Sequence, residues 1–134
     1  MGKTYDVTEY AKKAREAVAD GIVLLENKDG VLPLKGAHKV ALFGRTQFNY
    51  YKSGTGSGGL VNTRYVTGIY EALQAVADIE LNETVRKTYE AWVENHPFDA
   101  GAGWAQEPWF QEEMELSEEL VAQAAEESDT AVII

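Results

Sequence analysis

Gly54-Thr55-Gly56-Ser57-Gly58-Gly59 satisfies G-x-G-x-x-G, the pattern that cradles a dinucleotide pyrophosphate when its glycines follow a strand directly and open a helix. Here the apolar run Val40-Ala41-Leu42-Phe43 ends at Gly44, well before Gly54, and the next helical signal starts only at Thr67. A phosphate-binding P-loop also fails, because Tyr51 rather than glycine precedes Lys52-Ser53. What remains is a glycine-dense loop whose backbone can come close to a ligand, or which is only a surface connection. Its position matters, because ligand-contacting loops of open α/β sheets leave the carboxyl ends of strands.

Other chemistry-bearing residues are sparse. Glu112, Glu113, Glu115, Glu118 and Glu119 could supply a carboxylate pair, but such a run reads better as a solvated flank with favourable charge at a helix N-terminus. His38 and His96 fall in expected loops with nothing at metal-ligand spacing beside them, so no metal site and no cofactor are expected. Asn82-Glu83-Thr84 has sequon form and is better read as a helix cap. Tyr50, Tyr51, Trp104 and Trp109 are aromatics that either stack on sugars or, more commonly, fill a core.

The elements that would position these groups alternate between helix and strand. Asp6-Val7-Thr8-Glu9 has capping-box form, and Val7, Tyr10, Ala14, Val18, Ile22 and Leu25 keep helical spacing, which predicts a helix over Val7 to Leu25 with a close-packing alanine face. Asn27, Asp29 and Gly30 turn the chain into an extended Val31 to Leu34. Lys39 to Phe43 reads as a strand buried on both faces. A second helix capped by Thr67, with Ile69, Leu73, Val76 and Ala77 on one side, a short strand over Asp78 to Leu81, and a helix capped by Asn82 follow. Asn95 to Glu115 is irregular, and its Phe98, Trp104, Trp109 and Phe110 are expected to pack down. Ser117 caps a fourth helix, and Ala131 to Ile134 is a second buried-type strand.

Composition narrows the class. A chain of 134 residues with 45% hydrophobic and 25% charged residues is an ordinary globular domain. A net charge of −10 argues against non-specific nucleic-acid binding. No apolar run approaches the roughly 18 residues that span a bilayer, so no membrane partner is expected. The absence of cysteine and of an apolar leader leads to an expected cytoplasmic location. A buried parallel strand as the last four residues normally feeds a crossover helix, so this is expected to be a piece of a longer polypeptide. The fold class expected is a three-layer α/β/α sandwich with a mainly parallel sheet, one incomplete domain over 1–134.

Two segments resemble a known family. Ala17 to Leu34, with Gly21-Ile22-Val23-Leu24-Leu25-Glu26-Asn27 and Gly30-Val31-Leu32-Pro33-Leu34, resembles the opening of the second domain of glycoside hydrolase family 3. Lys39 to Gly44, Gly54 to Gly58 and Asp129 to Ile134 look like that domain's next strand, glycine loop and second strand. The resemblance implies a retaining exo-β-glycosidase whose Asp nucleophile lies on a barrel domain and whose Glu acid/base follows the strand ending here at Ile134. Retaining chemistry needs those carboxyls about 5 Å apart, so the site would form between domains. No catalytic residue is therefore assigned to this chain, and a sandwich starting near Met1 looks either like the members with inverted domain order or like a chain cut at that boundary. By the same analogy Arg45, Lys52, Ser53, Gly54, Thr55, Gly56 and Ser57 would line the pocket mouth and bind substrate through amides and side chains.

The expected partners are a β-glycoside or oligosaccharide and the barrel domain of the same polypeptide. The piece alone is expected to be inactive and to self-associate through its unpaired terminal strand. The alternative reading is a flavodoxin- or Rossmann-like module holding nucleotide or phosphate on Gly54 to Gly59. A third reading makes the chain a structural part that only packs on a partner domain.

Overall fold

A computed structural model describes residues 5–51, 62–103 and 106–134. The chain forms two compact units, Met1–Lys35 and Gly36–Ile134.

In the first unit, helix α1 spans Val7–Gly21, and the Asp6 carboxylate accepts from the amides of Thr8 and Glu9. The helix stops four residues short of the expected Leu25. Ile22 is already extended, at φ −75° and ψ 127°, and Gly21 before it loses more backbone entropy in a helix than any other residue. Beyond it, Asn27 closes the turn at Lys28–Gly30. Its side chain donates to the Leu32 carbonyl at 2.8 Å and accepts from the Leu32 amide at 3.0 Å. Asp29 sits at φ 55°, a conformation that Asp tolerates better than most residues. No residue of α1 is buried.

The second unit is an α/β layer structure, the class the alternation predicts. Strand β1 (His38–Phe43) lies between β2 (Ile79–Leu81) and β3 (Thr130–Ile133), and both pairings are parallel. Val40 stands opposite Leu81 on one side and Thr130 on the other. The central strand is the core, with Val40, Ala41, Leu42 and Phe43 all buried. That is why it reads as an unbroken apolar run rather than an alternating one. Ala41 and Phe43 pack with Val85 and Tyr89 of α3 (Glu83–Asn95), Ala124 of α4 (Glu118–Glu127) and Met114.

Helix α2 (Ile69–Gln74) is shorter than the spacing predicts and begins one residue later. The cap is Gly68, whose amide donates to the Glu71 carboxylate at 2.9 Å, in place of Thr67. Val76 and Ala77 lie beyond its end. Asn82 and Ser117 cap α3 and α4 as expected.

Asn82 does more than cap. It is 2% exposed, accepts from the Val85 amide, and donates to Ser128 Oγ at 2.8 Å and Glu127 Oε2 at 3.1 Å. Asn82→Ala therefore frees a helix start and unties the end of α4 together. The expected loss is about 2 kcal/mol, the top of the N-cap range, read as a lower urea midpoint at unchanged slope.

Candidate functional site at the carboxyl edge of the sheet

At the end of β1, Gly44 takes φ 111° and ψ 133°, a region reserved in practice for glycine. Its amide donates to the Tyr89 hydroxyl at 2.9 Å. A single turn over Arg45–Gln47 follows. Gln47 is 1% exposed, and its side-chain amide donates to the Leu42 carbonyl as the strand ends and to the Gly44 carbonyl, which also accepts from the Gln47 main-chain amide. Burial pushes the Tyr89 phenol above its ordinary pKa, with the Gly44 amide opposing.

Arg45 is the one sequence-selected site residue that lies within the described residues; Lys52, Ser53, Gly54, Thr55, Gly56 and Ser57 lie outside them. Its side chain is buried and directed at the protein. The guanidinium donates to the carbonyls of His96 at 2.8 Å and Glu112 at 2.7 Å, and sits 5.2 Å from the centre of the Trp92 ring. Its amide donates to Glu113 Oε2 at 2.9 Å, while Glu113 Oε1 accepts from the Met114 amide. Glu113 is exposed, as expected of the acidic flank, and its carboxylate also receives two main-chain amides.

The irregular segment before α4 is anchored here. The His96 ring stacks on Trp92 at 4.3 Å between centroids, and Phe98 meets Tyr51 edge-on at 5.7 Å. Gln111 clasps Asp99, accepting from its amide at 2.9 Å and donating to its carbonyl at 2.8 Å. Trp109 and Phe110 do not pack down as expected: they are 93% and 79% exposed. Trp104 lies outside the described residues.

A second polar cluster sits at the opposite, amino edge. His38 begins β1 rather than lying in a loop, because its amide takes the Asp78 carbonyl and its ring bonds β3's flank. Nδ1 lies 2.7 Å from Asp129 Oδ1 and 3.2 Å from Thr130 Oγ1. Carboxylate and hydroxyl meet the same ring nitrogen, so the trio cannot act as a nucleophile relay, which uses both. Asp129 also accepts from Thr130 Oγ1 and the Lys39 amide, and these bonds, Thr130's first, lower its pKa to about 2. A carboxylate depressed in the folded state contributes stability above its unfolded pKa, near 3.8, and loses it as pH falls toward 2. Asp129→Asn should flatten the stability profile between those pH values, as read by acid titration of the unfolding midpoint.

A clasped loop and a buried arginine staple stand at the carboxyl edge of a parallel α/β domain. Comparison with known proteins gives that domain its family. The model of the glycosyl hydrolase family 3 C-terminal domain matches residues 22–134, and the chain belongs to that family. It is 54% identical over 129 residues to a β-glucosidase of Ruminococcus albus, a match covering 96% of this chain and 13% of that protein. It is 37% identical over 120 residues to β-glucosidase A of Butyrivibrio fibrisolvens, covering 88% and 14%. Among solved structures, a β-glucosidase from Paenibacillus barengoltzii superposes with a TM-score of 0.88 at 46% identity, covering 99% of this chain and 14% of that one. β-Glucosidase 3B from Thermotoga neapolitana, in complex with α-D-glucose, gives 0.80 at 35% identity, covering 97% and 18%. The chain thus spans about one seventh of the length of the curated relatives it matches.

Proposed function

We propose that this chain is part of a retaining exo-β-glycosidase of the β-glucosidase kind, acting on terminal non-reducing β-glycosides in the cytoplasm. The observation that carries the reading is 54% identity to a β-glucosidase across nearly the whole chain. The domain's part is to supply pocket wall, from the loop that leaves β1 at Arg45 and runs through Lys52 to Ser57. Both catalytic carboxylates lie elsewhere on the parent polypeptide, the nucleophile on a barrel domain.

The test is hydrolysis of an aryl β-glucoside by the parent enzyme, with the first-formed glucose anomer followed by proton NMR. The β-anomer is expected first; the α-anomer first would overturn retention, and no hydrolysis would overturn the assignment. The 134-residue piece alone is expected to show no turnover. It is also expected to self-associate, because Ile133 on the outer strand is 83% exposed and a free strand edge templates pairing. Sedimentation at rising concentration checks this, and a monomer throughout would refute it.

A further inference from the structure

Side chains as well as main chain join the amino ends of β1 and β3. The Asp129 amide donates to the Lys39 carbonyl at 3.0 Å, and the Lys39 amide donates to Asp129 Oδ2 at 2.9 Å. The other carboxylate oxygen, Oδ1, meets Thr130 Oγ1 at 2.6 Å and His38 Nδ1 at 2.7 Å. A carboxylate whose pKa is lowered to about 2 is an acceptor only, so each neighbour must bring a proton to it. The hydroxyl brings one and Nδ1 the other. The ring therefore holds its Nδ1–H, and Nε2 is the nitrogen that gains or loses a proton. Charging the ring turns a neutral hydrogen bond to Asp129 into a charge-assisted one.

The surroundings favour that charge. Asp78 and Glu80, from β2 and its approach, line the same cleft as His38 and Lys39. The Lys39 ammonium opposes it but lies 3.5 Å from Glu80, and Glu127 at the end of α4 is engaged by Asn82 and Gln123. The bond also reaches beyond its own edge. β3 is only four residues long, and just past its far end the Ile134 amide donates to the Phe43 carbonyl at 3.1 Å, against Gly44. So short a strand opens and closes as one unit. We propose that His38 and Asp129 form a pH-sensitive latch that sets how tightly β3 is held to β1, from the amino edge through to Gly44. The charged imidazole binds Asp129 only while β3 is closed, so closure takes up a proton and acid favours it. The latch weakens as pH rises through the range in which histidine loses its charge, and fails again only in strong acid, where Asp129 itself is protonated.

The experiment uses the full-length parent protein and amide hydrogen exchange read by mass spectrometry, corrected for intrinsic rates, at about pH 5.5 and about pH 8, both above the carboxylate range. Peptides covering 129–134 should be about threefold better protected at the lower pH, the size expected of a partly exposed charge pair. Peptides from α3 should show no such contrast. His38→Asn keeps a donor near the position of Nδ1 but cannot titrate, and should hold 129–134 at the higher-pH level throughout. Asp129→Asn should also abolish the contrast; if it folds poorly, His38→Asn alone carries the test. Raised salt should shrink the wild-type contrast. Equal protection of 129–134 at both pH values in the wild type would overturn the latch, as would an undiminished contrast in His38→Asn. A contrast of the same size in α3 would mean that the whole domain, not β3, responds to pH, and would overturn it too. Because exchange rather than turnover is read, the outcome is independent of the glycosidase reading.

Discussion

Tyr89→Ala is expected to cost about 3–5 kcal/mol, the range for deleting a buried aromatic, and so to consume much of a small domain's stability. The ring is 1% exposed and packs with Ala41, Phe43 and Val85 where α3 covers the sheet. Two losses are combined in that figure, and Tyr89→Phe separates them. Phenylalanine keeps the ring but leaves the buried Gly44 amide without its acceptor. An unsatisfied buried donor costs about 1–3 kcal/mol, so the phenylalanine variant should fall between wild type and alanine in urea unfolding. If it matches wild type, the hydroxyl does not hold the end of β1. The amide of Gly44 should also lose protection against hydrogen exchange in Tyr89→Phe, while amides at the amino end of β1 keep theirs.

Gly44→Ala should be nearly as damaging, by about 3 kcal/mol, although it adds only a methyl group. The conformation at φ 111° alone costs a non-glycine residue about 1–3 kcal/mol. The new Cβ would also stand 2.7 Å from the Ile134 carbonyl oxygen and 3.4 Å from the Ile134 Cβ. A backbone oxygen cannot swing aside as a flexible side chain would, so the end of β3 must shift. The hydrogen bond from the Ile134 amide to the Phe43 carbonyl, at 3.1 Å, is the first contact to be lost. A lowered unfolding midpoint together with faster exchange at Ile134 is the expected result. Wild-type stability would show that the edge tolerates a shift the geometry does not permit.

These two residues also mark how far the sequence reads. The apolar run over Val40 to Phe43 reads as a doubly buried strand because a central parallel strand has no polar face to alternate with. Asn82 and Ser117 read as caps because their short side chains satisfy amides only a few residues away. The segment Ile22 to Leu34 carries the family resemblance, and the family model covers it. The helix ends at Gly21 and Gly68 were less legible, because several residues near each boundary compete on nearly equal terms. Gln47 gave no signal at all: nothing in its neighbours announces a side chain that serves two carbonyls at a strand end.

The sequence by itself determined the order of helices and strands, the central strand and the family, since these follow from periodicity, local caps and motif. Only the tertiary structure decided what the polar residues do. Arg45, which the family resemblance groups with the glycine loop, turns to carbonyls 51 and 67 residues away. Glu113, an exposed member of the acidic flank, receives the Arg45 amide from 68 residues away. Trp109 stays in solvent where aromatic content predicts packing. The physical reason is range: caps and apolar periodicity are settled within a few residues, whereas a buried cation or a lone hydroxyl finds its partner only once distant segments have met.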